Sequence, residues 1–435
     1  MKNSGVEWIG EIPENWEVSK IGQLYEERRT KVSDTIYPPL SVTMQGILPQ
    51  LETAAKSDAH DDRKLVLKGD FAINSRSDRR GSCGISEFDG SVSLINTVLH
   101  PKTEMNPIYY NWLFHSFRFS DEYYKNGHGI VDDLWTTSWS EMKRIFIPLP
   151  PKSTQQCIAS YLDKKCSKIA ETIRNQQQVI EKLKAYKQSL ITEAVTGKIK
   201  IQNGKVCGKY ESYKDSGVEW IGKIPSEWEV GKTGMFTYVT KLAGFEFTDI
   251  MMDKISENGD VPIVRAQNVR MFKFNKEIIN EYIDLSTSNT LNRCCLDKKC
   301  LLITFIGAGI GDVCIFNESI RYHLAPNVAK IEIRNFSKTK LCEEFLMYYI
   351  GSESGKREIA NISKAAAQPS LSMETIRKIK LCIPPFEEQK LIVDYLYPKC
   401  LSIDKTIEQK QELIVKLTEY KKSLIYECVT GKKEI

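Results

Sequence analysis

Residues 384–432 read PPFEEQKLIVDYLYPKCLSIDKTIEQKQELIVKLTEYKKSLIYECVTGK, and residues 150–198 read PPKSTQQCIASYLDKKCSKIAETIRNQQQVIEKLKAYKQSLITEAVTGK. The two stretches align without a gap at an offset of 234 residues (384 − 150). In both, apolar residues recur at alternating steps of four and three, which is the heptad spacing of a coiled coil. Each stretch opens on a proline pair and closes near Gly197 or Gly431, as expected for helix ends. The stretches therefore predict two long, related helices.

One face of each predicted helix carries the apolar seam of the coiled coil. Its polar breaks recur at the same places, Gln176 and Lys410 at one position and Lys187 and Lys421 at another. Since a single seam is unstable alone, we expect the two helices to pair antiparallel within the chain, with an internal pseudo-twofold axis. Pairing between two chains is the alternative. The predicted apolar seam residues are Leu162, Ile169, Ile173, Ile180, Leu183, Leu190, Leu396, Ile403, Ile407, Ile414, Leu417 and Leu424.

A second repeat precedes each helix. Residues 4–18 read SGVEWIGEIPENWEV and residues 216–230 read SGVEWIGKIPSEWEV, with twelve of fifteen positions identical at an offset of 212. We name these two stretches the SGVEW segments. The region between segment and helix is 22 residues longer in the second copy (234 − 212) and shares little sequence with the first. FAINSRSDRRGSCGI from Phe71 and LLITFIGAGIGDVCI from Leu301 nevertheless both predict a strand, a turn and a return strand.

These repeats predict a duplicated fold. Its class is α/β (α+β) for two globular domains, which are joined by two long antiparallel coiled-coil helices. A shared scaffold with a varied surface indicates that the surface loops carry the function. The predicted segments are a first domain at 1–150, a first helix at 151–197, a linker at 198–215, a second domain at 216–384 and a second helix at 385–435.

Composition limits the class of protein. The chain has 435 residues and no run of about 18 apolar residues, so no membrane span is expected. Its first residues show no export signal, and its twelve cysteines include no CxxC pair, so we expect a cytoplasmic protein with reduced thiols and no metal site. The net charge of +5 (61 − 56) is mild for a nucleic-acid binder. Basic residues must therefore cluster, or partner subunits must supply phosphate contacts.

The repeated motifs resemble those of a known family. The SGVEW segments, the PPFEEQ stretch and the helix ends LITEAVTGK and LIYECVTGK, all in duplicate order, resemble the specificity subunit of type I restriction-modification systems. The likeness covers essentially the whole chain. One departure is PPKSTQQ in the first copy, which lacks the acidic residue of PPFEEQ; we expect little consequence.

The resemblance implies a division of labour between subunits. Each variable region would be a target-recognition domain that reads one half of a split, asymmetric site in double-stranded DNA, and the helices would set the gap. Two methyltransferase subunits would carry S-adenosylmethionine and methylate adenine at N6. Restriction subunits would add translocation and cleavage with ATP and Mg²⁺. No cofactor and no catalytic residue is expected in this chain itself.

Polar and basic loops of the variable regions are the candidates for DNA contact. Base edges are read by Arg, Lys, Asn, Gln and Ser side chains, and phosphates by further basic residues. In the first domain the candidates lie in the stretches SRSDRRGS and KNGHG, and in the second in RAQNVR and SKAAAQPS. The candidate residues are Arg76, Arg79, Arg80, Lys125, Asn126, His128, Arg265, Gln267, Asn268, Arg270, Ser363, Lys364 and Gln368.

Two motifs suggest catalysis but fit structural roles better. Residues 106–109, Asn-Pro-Ile-Tyr, resemble the base-holding loop of adenine methyltransferases, yet they precede an apolar helix pattern, so a proline helix start is expected. Gly307, Gly309 and Gly311 resemble a nucleotide-binding turn, but a strand pattern follows them instead of the required helix, so a tight turn between two strands near DNA is expected. A self-contained DNA methyltransferase and a coiled-coil adaptor without DNA contact remain the two alternatives.

Overall fold

The computed structural model describes residues 1–50, 61–129, 135–307, 309–334, 340–363 and 370–435. The chain forms two compact units. Unit 1 comprises Met1–Gln178 and Lys410–Ile435, and unit 2 comprises Val179–Gln409. Each unit therefore contains one globular part together with one portion of each long helix.

Unit 1 is a mixed α/β structure. Its helices are α1 (Ile21–Leu24), α2 (Pro107–Phe114), α3 (Phe117–Lys125), α4 (Trp139–Met142) and the beginning of α5 (Lys152–Val195). Its strands are β1 (Lys2–Asn3), β2 (Glu11–Ile12), β3 (Glu17–Lys20), β4 (Tyr25–Glu27), β5 (Lys31–Val32), β6 (Leu40–Thr43), β7 (Gly46–Pro49), β8 (Arg63–Val66), β9 (Phe71–Asn74), β10 (Cys83–Ile85), β11 (Gly90–Val92), β12 (Asn96–Pro101) and β13 (Phe146–Leu149).

The central sheet of unit 1 has the strand order β10-β9-β12-β4 and is antiparallel throughout. A second sheet has the order β11-β8-β5. The end of the SGVEW segment forms β3, which pairs with β13 just before the long helix. The predicted strand–turn–strand pattern from Phe71 is confirmed, because Ile73 pairs with Cys83 across β9 and β10.

Unit 2 repeats this plan with additional elements. Its helices are α6 (Thr233–Phe236), α7 (Gly244–Glu246), α8 (Leu285–Thr290), α9 (Glu343–Gly351), α10 (Glu353–Ser363), α11 (Met373–Lys378) and the beginning of α12 (Phe386–Val429). Its strands are β14 (Lys200–Gln202), β15 (Lys205–Gly208), β16 (Tyr213–Asp215), β17 (Lys223–Pro225), β18 (Glu229–Lys232), β19 (Thr237–Lys241), β20 (Val261–Val264), β21 (Val269–Arg270), β22 (Lys273–Phe274), β23 (Tyr282–Ile283), β24 (Cys295–Leu296), β25 (Cys300–Thr304), β26 (Val313–Phe316), β27 (Tyr322–Leu324), β28 (Val328–Ile333) and β29 (Lys380–Ile383).

The sheets of unit 2 correspond to those of unit 1. The order β19-β28-β25-β26 matches β4-β12-β9-β10, and the pair β18-β29 matches β3-β13. A further sheet, β23-β20-β27-β24, contains the parallel pair β20-β27. Unit 1 keeps only an isolated parallel bridge, Pro39 to Ser91, at the corresponding place in its described residues. The duplicated α/β fold expected from the sequence is confirmed.

Helices α5 and α12 are both 44 residues long, which corresponds to about 66 Å each at 1.5 Å per residue. All apolar seam residues predicted from the heptads, and the polar breaks between them, are buried or half-buried. The residues on the opposite faces are mostly exposed. The heptad pattern therefore identified the packed face of both helices correctly.

In unit 1 the two helices pack in opposite directions. Ile158 and Leu162, early in α5, share a buried core with Leu424 and Cys428, late in α12. Further along α5, the side chain of Gln176 accepts a 3.0 Å hydrogen bond from Lys410, which lies earlier in α12. Gln176 and Lys410, the polar residues at the same position of the two seams, thus form a hydrogen bond with each other in an antiparallel pair.

Unit 2 shows the same arrangement with the roles of the helices exchanged. Leu190 of α5 shares a core with Leu396 of α12. The ammonium group of Lys187 donates to both carboxylate oxygens of Asp404 at 2.7 and 2.6 Å. Antiparallel pairing of α5 and α12, as expected from the sequence, is therefore present in each unit.

Each long helix ends on the neighbouring SGVEW segment of its own unit. Gly197 and Gly431 have φ values of 68° and 72°, the left-handed conformation of a helix C-terminus. The next residue, Lys198 in one copy and Lys432 in the other, donates to backbone carbonyls of that segment, at 3.1 Å to Ile221 in unit 2. The signature VTGK thus terminates the helix and attaches it to the globular part.

The glutamine of the PP stretch links the helix start to the globular part. Gln155 is buried, accepts from the backbone N–H of Asn106 at 2.9 Å, and donates to the carbonyl of Pro150 at 2.9 Å. Gln389 makes the corresponding bonds to Cys342 at 2.8 Å and Pro384 at 2.9 Å. The glutamine therefore connects the start of the long helix to the globular part in both copies.

The acidic residue that the first copy lacks has a bonding role in unit 2. Glu388 accepts from Trp228 Nε1 at 3.1 Å and from the hydroxyl of Tyr210. Thr154 stands at the corresponding position in unit 1. The sequence departure thus changes the local bonding, contrary to our expectation of little consequence.

The cysteines are free thiols, nine of them buried. Across the described ranges, no helix combines the length and the apolar character required to cross a bilayer.

Candidate nucleic-acid interface

In unit 1 the structure brings the two predicted DNA-binding loops together. Arg76 and His128, one from each loop, both form isolated β-bridges to Thr136. The backbone of His128 exchanges hydrogen bonds with that of Thr136 at 3.2 and 3.0 Å, and Ser77 donates to Trp135 at 2.9 Å. The segment around Thr136 therefore joins two loops whose bridging residues lie 52 positions apart in the sequence (128 − 76).

The arginines of the first loop are available for an anion. The side chains of Arg79 and Arg80 are 67% and 59% exposed. Each forms a long ion pair of 3.7 Å, Arg79 with Asp78 and Arg80 with Asp121. The guanidinium of Arg80 also lies 5.2 Å from the ring centre of Tyr124. Ion pairs this exposed contribute little, so a phosphate can replace the carboxylate. Arg76 is less exposed, at 38%, and lies 3.5 Å from Asp78.

The second loop of unit 1 is mixed in character. Lys125 and His128 have side chains 68% and 72% exposed. Asn126 directly follows α3, and its amide donates to Glu122 at 2.8 and 3.1 Å, which occupies its donor groups. Lys125 and His128 therefore suit DNA contact better than Asn126 does.

A groove of about 430 Å³ opens beside these loops. Its lining combines the guanidinium of Arg76 with large apolar side chains that are partly exposed to solvent. Leu94 and Ile95 are 39% and 43% exposed, so the groove presents apolar surface to solvent. The groove is lined in part by Ser75, Arg76, Leu94, Ile95, Thr136 and Trp139.

In unit 2 the predicted RAQNVR stretch divides into exposed and internal residues. Asn268 is 1% exposed; its side chain accepts from the N–H of Arg265 at 2.8 Å and donates to the carbonyl of Asn275 at 3.0 Å. Because its amide is used inside the domain, we leave Asn268 out of the proposed DNA contacts. Arg265 forms an ion pair with Glu281. Gln267 and Arg270 are exposed.

Arg270 lies near the glycine turn of unit 2. Burial raises the pKa of Asp312, and the positive charges of Arg270 and Lys356 oppose that rise. Ser363 is the last residue of α10. Lys364 and Gln368, the remaining predicted contacts of this unit, lie outside the described residues.

The glycine turn is the counterpart of the arginine loop of unit 1. Ile306 bridges Ser370 just as Arg76 bridges Thr136. Gly307 and Gly311 have φ values of 104° and 84°, and strand β26 follows the turn, as expected from the sequence. The two stretches that begin at Phe71 and Leu301 align at an offset of 230 residues (301 − 71), which places Ile306 opposite Arg76. The candidates predicted from residue type in this unit were instead those of RAQNVR and SKAAAQPS.

The methyltransferase-like residues 106–109 are part of a helix start. Asn106 caps α2 by accepting from the N–H of Tyr109 at 3.1 Å, and Pro107 is the first residue of the helix. Tyr109 is fully buried and its hydroxyl donates to the carbonyl of Val429 at 2.8 Å. The helix start expected from the sequence is confirmed, and the side chain of Tyr109 faces the protein interior.

Burial disfavours the charged forms of a Cys–His pair in the core of unit 1. Cys83 Sγ and His115 Nε2 lie 3.6 Å apart, a pairing found in nucleophilic catalysis. Burial raises the pKa of Cys83 and lowers the pKa of His115. Both groups are therefore neutral near pH 7, and the thiol is not a nucleophile. Within the described ranges, no three His, Cys, Asp or Glu side chains come together as metal ligands.

A mostly exposed stripe on the long helices is identical in both copies. Its four residues follow at steps of four, three and four, which places them along one helix face. Tyr186 and Tyr420 within it are 56% and 53% exposed. This retained stripe consists of Lys182, Tyr186, Ser189 and Glu193 in α5 and Lys416, Tyr420, Ser423 and Glu427 in α12.

Comparison with known proteins gives matches in sequence over the whole length. A family model for the type I restriction modification DNA specificity domain matches residues 13–185 and again residues 225–419. The type I restriction enzyme MjaVIII specificity subunit of Methanocaldococcus jannaschii is 25% identical over 449 positions, covering 97% of this chain and 93% of that protein. The EcoBI specificity subunit of Escherichia coli is 24% identical over 63% of this chain and 56% of its own length.

Solved structures share the fold. A chain from work on complex assembly and conformational transition of the type I R-M system has a TM-score of 0.71 at 14% identity, covering 97% of this chain and 100% of its own. The HsdS subunit from Thermoanaerobacter tengcongensis has a TM-score of 0.51 at 13% identity, covering 97% of this chain and 98% of its own.

Proposed function

We propose, for a chain that belongs to the type I restriction-modification DNA specificity family, that it is the sequence-recognition subunit of such a complex. It reads an asymmetric, two-part site in double-stranded DNA, with one half read by each unit. The observation that carries this proposal is the recurrence of one loop arrangement in both units. The Arg76–Thr136 and Ile306–Ser370 bridges correspond, yet the side chains that they hold differ.

The long helices set the distance between the two half-sites. Each helix contributes one portion to each unit, so a single continuous element connects both recognition parts. Polar pairs at the seam, Gln176 with Lys410 and Lys187 with Asp404, favour one register of the helices. A fixed register gives a fixed number of unread base pairs.

Two copies of one methyltransferase subunit assemble on this chain. The retained stripe supports this part of the proposal, because exposed residues are free to diverge unless a common partner contacts both copies. Those subunits carry S-adenosylmethionine and methylate adenine at N6. Restriction subunits, with ATP and Mg²⁺, complete the complex. A cytoplasmic location, expected from the sequence, stays a prediction.

The chain itself supplies recognition and assembly, not chemistry. The methyltransferase-like residues Asn106 and Tyr109 serve as a helix cap and a buried core residue, which argues against the alternative of a self-contained enzyme. The buried pair of Cys83 and His115 is neutral for the physical reasons given above.

The test is methyl transfer by the chain alone and in combination. We expect the purified chain to transfer no methyl groups to DNA. Co-expressed with a type I methyltransferase subunit from the same source, it directs adenine methylation to one two-part motif, which single-molecule sequencing of the DNA shows. Methyl transfer by the isolated chain, or methylation without a defined motif, would reject the proposal.

A further inference from the structure

We propose that each unit contacts DNA bases through four corresponding positions held by one hydrogen-bond framework, here named the recognition set. This inference rests on the proposed function and assigns the base contacts within it. Its ligand is the edge of base pairs exposed in a groove of duplex DNA. The set consists of Arg76, Ile95, Thr136 and Trp139 in unit 1 and of Ile306, Asn327, Ser370 and Met373 in unit 2.

The framework begins with the strand that leads into each loop. In unit 1 the N–H of Ser75 donates to the carbonyl of Ile95 at 3.3 Å, and its carbonyl accepts from Thr137 at 2.9 Å. In unit 2 the N–H of Phe305 donates to the carbonyl of Asn327 at 3.0 Å, and its carbonyl accepts from Leu371 at 2.9 Å. The backbone therefore presents three segments side by side in the same way in both units.

The fourth position follows from a helix start. Ser138 caps α4 and Ser372 caps α11, so Trp139 and Met373 are the first helical residues in their units. Each directly follows the segment that bridges to the loop. Although α4 and α11 differ in length, their first residues thus occupy the same place relative to the framework.

The members of the set are accessible. Ile95 and Ile306 are 43% and 40% exposed. Removal of a large aliphatic side chain from water is favourable, so a ligand that covers these side chains is stabilised by the contact. Thr136, Trp139, Ser370 and Met373 are half-buried. Because packing of the core does not fix the identity of these side chains, they can be selected for the DNA sequence that the unit reads.

In unit 1 the set has the chemistry of guanine and thymine recognition. Its four side chains line one groove, which makes them a single site. The planar guanidinium of Arg76 matches the O6 and N7 acceptors of guanine in the major groove, and Ile95 and Trp139 supply apolar contact for a thymine methyl group. The exposed Arg79 and Arg80 beside it suit phosphates.

In unit 2 the set has a different chemistry. Asn327 adopts a φ of 76°, a left-handed conformation that Asn tolerates better than most side chains. Its amide matches the N6 and N7 groups of adenine, and Ile306 supplies the apolar contact. Of the RAQNVR stretch, Asn268 is engaged inside the domain and Arg265 pairs with Glu281, whereas the exposed Gln267 and Arg270 remain candidate contacts of this unit.

The experiment maps the methylated motif of the full chain co-expressed with its methyltransferase subunit. We expect Arg76→Ala to relax a guanine position in one half-site and Asn327→Ala to relax an adenine position in the other, each by roughly tenfold to a hundredfold. Arg79→Ala is the matched control: it lowers methylation at all sites and leaves the motif unchanged, as loss of a phosphate contact does.

Two results would overturn the inference. Either both variants methylate the unaltered motif, or one variant changes both half-sites. If Arg76→Ala fails to fold, as judged by circular dichroism, Arg76→Lys replaces it, because lysine keeps the charge but loses the two-pronged donor geometry. A wild-type complex without any defined motif would instead contradict the proposed function, so the two failures are distinguishable.

Discussion

At the scale of single residues, two glycines show how much of a motif is set by backbone geometry. Gly431 needs a left-handed φ of 72°, and a Cβ atom at this position would collide with the ring of Pro13. Gly197 has the same two requirements, with Pro225 as its neighbour. The conformation was predictable from the sequence pattern, whereas the collision depends on tertiary contacts that no local pattern encodes.

We predict that Gly431→Ala destabilises unit 1 more than backbone strain alone explains. A left-handed alanine costs roughly 1–2 kcal/mol, and the forced contact with Pro13 adds about 1–3 kcal/mol. The control is Gly204→Ala in the β14–β15 hairpin, where φ is 69° and a Cβ would meet nothing within 4 Å. Urea unfolding of both variants measures the difference; equal losses would show that the Pro13 contact is unimportant.

Residue type alone did not separate exposed polar residues from those that are hydrogen-bonded inside the domain. Asn268 and Gln267 are neighbours of similar chemistry, yet Asn268 is buried and hydrogen-bonded, whereas Gln267 is exposed. Ile95 and Ile306, which we propose as base contacts, were not candidates from the sequence, because aliphatic side chains are normally assigned to the core. Only the loop arrangement in three dimensions places them beside polar groups.

At the scale of elements, the long helices were the most predictable part of the chain. Heptad spacing is a local property of the sequence, so the seam and the helix ends followed from it directly. The pairing of the polar seam residues required the structure. Lys187 meets Asp404, whereas the position in unit 1 that corresponds to Asp404 is Ala170, which has no carboxylate to offer Lys421.

We predict that Asp404→Ala weakens the helix pair of unit 2. The side chain of Lys187 is only 15% exposed, so removal of its partner leaves a charge in a poorly solvated seam. Because Asp404 itself is 48% exposed, we expect a loss of about 1–2 kcal/mol, below that of a fully buried pair.

The matched control for this seam pair is Glu419→Ala. Glu419 pairs with Lys422 on the solvent side of α12, where both side chains are more than half exposed. Its removal changes stability by no more than about 0.5 kcal/mol. Thermal unfolding monitored by circular dichroism compares the two variants. An Asp404→Ala variant as stable as Glu419→Ala would mean that the seam pair does not hold the register.

At the scale of the whole molecule, the chain contains two related units, and the second is a continuous stretch between the two segments of the first. The duplicated motifs predicted two related units, and the family resemblance predicted a role in DNA recognition. The sequence predicted antiparallel pairing of the two helices within the chain, but not which polar residues meet across the seam, because such contacts join residues more than two hundred positions apart, as with Lys187 and Asp404. The groove in unit 1 was missed for the same physical reason.

The exchange of one recognition domain tests the central claim most directly. Residues 38–149 are replaced by the variable region of another family member, and the methylated motif of the complex is mapped by single-molecule sequencing. One half of the site should change, while the other half and the number of base pairs between them stay the same. A change in both halves would contradict the account that each unit recognises its own half-site.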